Sequence, residues 1–344
     1  MATYKGIKGV KVVTKASDPT ASEAVGTVWY NSTSPSALKY AVSSPGGWAS
    51  AANINSGRNA MGGSKGGSQT ATLIFGGESA TAQTALTEEF NGTCWSEEAD
   101  LNTARRAGGG FGTSTAALFS GGVTNTTHTI STDAVETWNG SAWTETTSMG
   151  TPRYSGFNAG IATAGIIASG ISRPGAPPGS PIGYRLQTET WNGSAWSETG
   201  DINVGRYDGG GTGTTTSMLA CGGAGFPSAP LNHASVESFN GSTWTEVNNL
   251  TTARGKATGA GDTTDALMAG GTSPPTWAGL AVTESYDGSS WSEVADLATA
   301  RAANDSGAGT TTSMIIAGGT PAPTFQATEE WESPFYAIKT VTIS

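Results

Sequence analysis

One glutamate and one arginine recur at matched places along most of the sequence, and these residue types are suited to acid–base or ion-binding chemistry. Each glutamate precedes an aromatic residue by two positions, and five of them precede an arginine by 17. The glutamates are Glu88, Glu136, Glu189, Glu237, Glu284 and Glu329, and the arginines are Arg58, Arg105, Arg153, Arg206, Arg254 and Arg301. A functional site occurs once, whereas a charge pair in every repeat favours a structural role. We therefore predict buried pairs that hold strands in register, in which loss of one partner costs about 3–5 kcal/mol.

Other residues capable of catalysis are few. The chain has two histidines, His128 and His233, and two cysteines, Cys94 and Cys221, which occupy non-equivalent places. No Ser/His/Asp set, phosphate-binding loop or CxxC metal motif is present. We expect surface histidines, cysteines that pack as small core residues, no metal, no cofactor and no enzymatic activity. An enzyme acting on carbohydrate, with acidic loop residues as catalysts, is the alternative.

A short hairpin motif must position the glutamates and arginines. The copies are Phe90-Asn91-Gly92, Trp138-Asn139-Gly140, Trp191-Asn192-Gly193, Phe239-Asn240-Gly241 and Tyr286-Asp287-Gly288, each followed by two residues and a tryptophan. Asn-Gly or Asp-Gly between strand-forming residues predicts a hairpin with a two-residue type I′ turn, in which both central residues take positive φ. Each copy therefore predicts a strand, a tight turn and a second strand.

The hairpins belong to a longer repeat with fixed spacings. Its tryptophans are Trp48, Trp95, Trp143, Trp196, Trp244 and Trp291, each followed ten residues later by an arginine. Beyond each arginine an apolar run ends in a small pair such as Gly76-Gly77. A period of 47 to 53 residues with four short strands is typical of a β-propeller. We predict the strand order Gly-rich, apolar, aromatic, Trp-containing, with each tryptophan packed between adjacent blades.

Composition agrees with an all-β fold. Of the 344 residues 50 are glycine and 11 are tryptophan, only 13% are charged, and no sustained helical period is apparent. The net charge of −10 argues against nucleic-acid binding, which needs basic residues to replace counterions. We expect no membrane insertion, because no run approaches the roughly 20 apolar residues of a spanning helix, and the first residues lack the apolar core of a secretory signal.

The order Arg, Gly-Gly, aromatic-Asn/Asp, Trp, Arg resembles the kelch repeat over about residues 36–335. This resemblance implies a kelch-like propeller. The Asn-Gly-Ser-Ala-Trp repeats behind a Met-Ala-Thr-Tyr-Lys start and a Gly-Thr-Val-Trp-Tyr-Asn segment also resemble tail-fibre and other virion proteins of marine bacteriophages. The second resemblance implies a structural protein of the virion, on the tail or the capsid surface.

Six Arg-to-Gly-Gly units predict six four-stranded blades, and seven aromatic segments, counting Leu38-Lys39-Tyr40 and Glu330-Trp331, leave seven as the alternative. We predict an attachment arm at 1–25, a lead-in hairpin and first Trp strand at 26–52, repeats at 53–335 and a C-terminal closing strand at 336–344. That strand has three open pairings: the last blade, the N-terminal segment or a partial seventh blade. Strands from the termini would close the ring and remove open edges.

Irregular loops after the Gly-Gly pairs are the predicted place of function, because insertions in a repeat protein emerge on one face. They contain prolines and several exposed large side chains, and the candidate binding residues are Tyr184, Arg185, Phe226, Trp277 and Phe325. We expect the arm to bind other virion proteins. We expect this face to contact a host surface glycan, a receptor or a neighbouring subunit, and the sequence leaves open whether the protein forms a homo-oligomer. A kelch scaffold that binds another protein is a further alternative.

Overall fold

The computed structural model describes residues 12–33, 36–125, 130–173, 183–225, 233–274, 277–302, 306–321 and 326–341. Within these ranges the regular structure is β-strand without helix, which confirms the all-β prediction. No helix long and apolar enough to cross a membrane occurs there. The chain divides into two compact units: a larger one, Trp48–Trp331, and a smaller one made of Met1–Gly47 and Glu332–Ser344.

The larger unit contains six four-stranded sheets, here named A to F in chain order. Sheet A has Gly62–Gly63, Thr72–Phe75, Thr87–Phe90 and Trp95–Glu98, and sheet B has Gly109–Gly112, Ala117–Ser120, Val135–Trp138 and Trp143–Thr146. Sheet C has Phe157–Ile161, Ala164–Ala168, Thr188–Trp191 and Trp196–Thr199, and sheet D has Gly210–Thr214, Ser217–Cys221, Val236–Phe239 and Trp244–Val247. Sheet E has Thr258–Gly261, Ala266–Ala269, Thr283–Tyr286 and Trp291–Glu293.

Sheet F has Gly307–Gly309, Ser313–Ala317 and Thr328–Glu332, and its fourth strand is Gly47–Ala51, from the other end of the repeats. The aromatic pairs show the equivalence. Trp331 and Trp48 have ring centroids 5.6 Å apart, as Trp138 and Trp143 of sheet B have at 5.5 Å. Trp48 thus supplies the tryptophan that the sixth repeat lacks in its own sequence.

Each sheet follows the predicted strand order, and this order defines two ends. We call one end the loop end, because the first strand begins there and the Gly-Gly pair and the loop after it lie there. We call the other end the hairpin end, because it holds the hairpin between the first and second strands and the hairpin between the third and fourth strands. Short two-stranded ribbons extend three loops at the loop end. Their strands are Ile171–Ser172 with Gly183–Tyr184, Arg206–Tyr207 with Ala224–Gly225, and Thr272–Ser273 with Ala278–Gly279.

The Asn-Gly turns differ by one residue from the prediction. In sheet B, Trp138 pairs with Trp143, and the N–H of Asn139 donates to the carbonyl of Ala142 at 3.3 Å. The central residues are therefore Gly140 and Ser141, and only the glycine takes a positive φ, of 92°. The asparagine instead works through its side chain, because its Oδ1 accepts from the backbone N–H groups of Ser141 and Ala142 at 3.0 Å. The predicted type I′ turn, with positive φ at both Asn and Gly, was wrong.

The Gly-Gly pairs bring the next repeat close. Gly76 and Gly77 have φ of 63° and 101°, and the N–H of Gly77 donates to the carbonyl of Arg105 at 2.9 Å. A Cβ on Gly76 would lie 2.5 Å from that carbonyl oxygen, so a side chain there is excluded. Sheet C has Ser169 instead, at φ 60°, and its hydroxyl accepts from the N–H of Arg206 at 2.7 Å. The N–H of Gly170 still donates to the carbonyl of Arg206 at 2.9 Å, so the serine adds side-chain hydrogen bonds to the same close approach.

Apolar residues of the first and second strands are almost fully buried between neighbouring sheets. Each sheet shares a cluster of buried side chains with the next one in the chain, and sheet F shares one with sheet A. In the cluster of sheets A and B, for example, Phe75 packs edge-on against Trp143 with centroids 4.8 Å apart. Because burying one such side chain stabilises by about 1.5–3 kcal/mol, these clusters are the main source of stability.

The smaller unit is one four-stranded sheet, formed by Val13–Lys15, Val28–Asn31, Ala37–Ser44 and Phe335–Thr340. Its first strand lies within the predicted arm at 1–25 and pairs in parallel with Val28–Asn31. The C-terminal strand pairs with Ala37–Ser44. Of the three pairings that the sequence left open, the structure therefore shows the one with the N-terminal segment. Leu38 to Tyr40 accordingly belong to this sheet and Trp331 to sheet F.

Candidate functional site

The six repeated arginines and six repeated glutamates form six buried ion pairs. They are Arg58–Glu88, Arg105–Glu136, Arg153–Glu189, Arg206–Glu237, Arg254–Glu284 and Arg301–Glu329. The partner of each arginine is the glutamate about 30 residues after it, not the one 17 residues before it. Both side chains of every pair are nearly inaccessible to solvent, so none of the twelve presents a charge to a ligand.

Each pair also fastens the loop that enters its sheet, as sheet D illustrates. Arg206 lies 3.0 Å from Glu237 and donates to the carbonyls of Gly222 and Ser235 at 2.5 and 2.9 Å. The other carboxylate oxygen of Glu237 accepts from the backbone N–H of Asn203 at 2.9 Å. Burial lowers the pKa of the Arg206 guanidinium, and the charge of Glu237 opposes the shift. The geometry therefore makes this pair a connector between the incoming loop and the second and third strands.

The repeat tryptophans bridge neighbouring sheets. The indole N–H of Trp244 in sheet D donates at 3.0 Å to the hydroxyl of Thr188, at the start of the third strand of sheet C. Trp143 makes the same bond to Thr87, and Trp48 to Thr283. Trp95 donates instead to the carbonyl of Ala52, at 2.9 Å. No tryptophan of this set is arranged as an exposed stacking platform.

Trp196 and Trp291 have the same place in sheets C and E, but their indole nitrogens are buried without a hydrogen-bond partner. The residue that would accept is a valine in both cases, Val135 for Trp196 and Val236 for Trp291. The alternation of threonine and valine at the start of the third strand therefore decides which tryptophan is satisfied.

The isolated titratable residues do not assemble a site. Cys221 is buried in the core, where burial raises the pKa of its thiol to about 12, and Cys94 lies exposed in the hairpin of sheet A. His233 lies in the loop after the Gly-Gly pair of sheet D, where its backbone N–H donates to the carbonyl of Gly223. His128 is outside the described residues. Among the residues that the structure describes, no group of three or more His, Cys, Asp or Glu side chains could hold a metal ion.

Two of the five predicted binding residues lie around one cluster at the loop end. The ring of Tyr184 stacks on that of Tyr207, with centroids 5.9 Å apart. Tyr207 in turn lines a small pocket of about 110 Å³ together with Asp208, Lys256 and Trp277. The Trp277 side chain is 42% exposed, and its backbone has a φ of 54°. Trp277 is thus an exposed aromatic side chain held in an uncommon backbone conformation beside a pocket.

Of the other three predicted loop residues, the structure describes Arg185. Arg185 is half-buried, and its backbone N–H donates to the carbonyl of Gly170 at 2.9 Å. Phe226 and Phe325 lie outside the described residues. The structure adds residues that loop length did not indicate. Tyr154 and Tyr207 directly follow repeat arginines, and burial raises the pKa of Tyr207 to about 12.

Residues in a strained backbone conformation recur near the loop end, in the segments that lead into successive sheets. Five residues, each two positions after a repeat arginine, take positive φ without being glycine: Ala60, Ala107, Ser155, Asp208 and Lys256. The backbone N–H of each of the last four donates to the carbonyl of the preceding one, for example at 2.7 Å from Ser155 to Ala107. Positive φ costs a non-glycine residue about 1–3 kcal/mol. The hydrogen bonds between these residues offset part of that cost, and they link consecutive sheets from A to E. Of these five residues, Asp208 and Lys256 are charged, and both line the pocket beside Trp277.

A cavity lies at the hairpin end, opposite the predicted face. It has about 660 Å³ and is lined by the hairpins between first and second strands of sheets A, C, D, E and F. Lys65, from the long hairpin of sheet A, donates to the carbonyl oxygens of Asn158 and Gly211 at 3.1 and 3.0 Å, and so reaches the first strands of sheets C and D. The sequence prediction missed this cavity, although the unusual Lys65-Gly66-Gly67 insertion was a visible signal.

The sequence matches no protein-family profile, and no curated protein sequence matches it. Solved structures do match, among 222 chains in all. One is the structure of YjhT, with a TM-score of 0.65 and 12% sequence identity, covering 83% of this chain and 99% of that chain. At that identity the likeness shows the fold alone. Together with the repeated four-stranded sheets, it makes the larger unit a β-propeller. The kelch assignment stays a prediction.

Proposed function

We propose that sheets A to F are six blades of a closed ring, with Gly47–Ala51 as the closing strand. Two contacts between the first and last sheets support this arrangement. The side-chain amide of Gln69, in sheet A, donates to the carbonyls of Met314 and Trp331 in sheet F at 3.2 and 2.9 Å. Ile74 of sheet A also shares a buried cluster with Ile315 of sheet F. A seventh blade would have to separate these contacts.

This propeller is, in our proposal, a non-enzymatic structural protein of a virion, displayed on the tail or capsid surface. One observation carries the proposal: the chain divides into two units, and both terminal strands lie in the smaller one. A module that contains both of these strands suits attachment to a particle, and the repeated sheets of the larger unit can then serve contacts with a host surface. The acidic composition accords with display on a particle surface.

The loop-end cluster is the proposed contact surface. Trp277 offers an exposed indole, and Tyr207, stacked on Tyr184, forms the adjoining wall with Asp208 and Lys256 at the pocket. Flat aromatic faces bordered by charged groups suit the apolar faces and hydroxyls of a surface glycan, and aromatic residues are frequent binding hot spots. A receptor protein or a neighbouring subunit is the other class of partner.

Two measurements test the proposal. Mass spectrometry and antibody labelling of purified particles from infected cells should find this chain in the particle, and its restriction to the cell lysate would overturn the virion assignment. The full chain should bind host cells or their extracted surface polysaccharide. Trp277→Ala should reduce that binding about tenfold or more, whereas Tyr336→Ala, exposed in the smaller unit, should not.

The same polysaccharide separates display from the alternative enzymatic function. Its chain length, followed by size-exclusion chromatography during prolonged incubation with the protein, should stay constant. Progressive shortening that persists in a metal chelator would instead favour a carbohydrate-acting enzyme with acidic loop residues.

A further inference from the structure

We propose that the cavity at the hairpin end is a second binding site, which takes a compact, uncharged, polyhydroxylated ligand of about the size of a sugar. Its volume of about 660 Å³ falls within the range of small-molecule sites, about 300–1,000 Å³. It lies at the opposite end of the sheets from the Trp277 cluster, so it is independent of the proposed contact surface.

The chemistry of the wall favours hydroxyl groups as partners. Threonines of the hairpins of sheets D, E and F, together with glycine backbone, make up most of the lining. A threonine hydroxyl both donates and accepts a hydrogen bond, and glycine exposes its peptide N–H and C=O. A ligand whose own groups both donate and accept can satisfy such a wall without leaving polar atoms unpaired.

The cavity is also where the repeat is broken. Sheet E has Asp262 and Asp265 in its hairpin, at the places that Thr310 and Ser313 occupy in sheet F. Sheet A has the longer hairpin with Lys65. Fold alone does not require these charges, because the other sheets form the same hairpins without them. Departures from a repeat that converge on one cavity indicate a function there.

The charges select an uncharged ligand. Two carboxylates disfavour an anion, while the Lys65 ammonium, bound to carbonyls of sheets C and D, opposes a cation in the same space. The Thr311 hydroxyl donates to Asp265 at 2.5 Å and fixes the carboxylate at the wall. Hydrogen bonds from Thr264 hold the pKa of Asp262 below its usual value, so this group is an ionised acceptor at neutral pH. Ionised acceptors make strong hydrogen bonds with hydroxyl donors.

Saturation-transfer NMR on the full chain tests the site, with the methyl glycosides of glucose, galactose and mannose, and N-acetylglucosamine, as probes and spermidine as a cationic comparison. We expect transfer to at least one sugar and none to spermidine. Thr310→Trp, which fills the cavity from sheet F, should abolish it, and Asp265→Asn should weaken it about tenfold. Thr113→Trp is the matched control, because Thr113 has the same hairpin position and the same hydroxyl contact in sheet B but does not line the cavity.

The result is decided by three outcomes. Transfer that Thr310→Trp removes and Thr113→Trp retains supports the site. Absence of transfer from every sugar, or transfer that survives in folded Thr310→Trp, overturns it. Binding of spermidine without any sugar overturns the ligand class. Circular dichroism melting of each variant verifies that it is folded. All proteins compared in this test carry Trp277→Ala, so that the proposed contact surface at the loop end does not contribute to the sugar signal.

Discussion

The indole nitrogen of Trp244 and the hydroxyl of Thr188 are joined by a 3.0 Å hydrogen bond that crosses from one sheet to the next. We expect Thr188→Val to lower the free energy of unfolding by about 1–3 kcal/mol, because a buried indole N–H would lose its only acceptor in a site without water access. Urea denaturation followed by tryptophan fluorescence measures the loss. Thr190→Val, at a half-buried position two residues along the same strand, is the control, because it removes only a long 3.4 Å hydrogen bond to the carbonyl of Ser197 and should change stability by less than about 0.5 kcal/mol.

The reverse exchange is predicted at Val236, which stands where Thr188 does and leaves the Trp291 nitrogen unpaired. Val236→Thr should raise the free energy of unfolding, or lower it far less than a hydroxyl buried without a partner would. The reason is that the new hydroxyl can accept a hydrogen bond from the unpaired indole N–H of Trp291. A double mutant with Trp291→Phe isolates the contact. If Val236→Thr has the same effect with phenylalanine at 291, the bridging explanation is wrong.

The buried charge pairs make a separate prediction. Arg206→Ala should lower the free energy of unfolding by about 3–5 kcal/mol, since it leaves the Glu237 carboxylate buried without its counter-ion. The double variant Arg206→Met with Glu237→Leu removes both charges and should recover a large part of that loss. A folded Arg206→Ala protein as stable as the parent would contradict the structural role of the pair.

The sheet E turn gives a prediction on pH. Hydrogen bonds from the Ser290 and Ser289 N–H groups and the Ser289 hydroxyl lower the pKa of Asp287 from its usual value. A carboxyl whose folded pKa is depressed stabilises the fold above its unfolded pKa of about 3.9, and this stabilisation is lost as pH falls through the folded pKa. Asp287→Asn, which copies the other hairpins, should remove this component. Melting temperatures of the two proteins should therefore converge as the pH is lowered below 4, and parallel curves would contradict the assignment.

Much of the larger unit could be predicted because its signals are local and repeated. A tryptophan followed at ten residues by an arginine fixes a strand and a loop within one repeat, and the strand order followed from four such signals. Gly47–Ala51 could be recognised as a Trp strand, but its pairing with Thr328–Glu332 depends on residues at opposite ends of the chain. The turn was misplaced by one residue, because the Asn139 side chain could replace a backbone acceptor, which no spacing reveals.

The binding surfaces were harder to predict for a different reason. Proline and aromatic residues indicated the loop end, and Trp277 does lie exposed there. The partner of Arg105 was not evident, since Glu88 lies 17 residues before it and Glu136 lies 31 residues after it, and only the fold decides between them. The cavity depends on Lys65 reaching across to Asn158 and Gly211, a contact between three repeats. Such a convergence depends on curvature of the whole unit and leaves no pattern in a single repeat.

The fourth strand of sheet F has a consequence for how the protein is made. Gly47–Ala51 leaves the ribosome before any of sheets A to E, yet its partner Thr328–Glu332 is translated after all of them. Sheets A to E can form in order as they emerge, whereas the early strand must wait with unpaired backbone groups until residues 328–332 have been made. Premature termination anywhere before residue 328 would therefore leave two exposed edges, and ribosomal pausing shortly before that point would expose the nascent chain to aggregation or proteolysis.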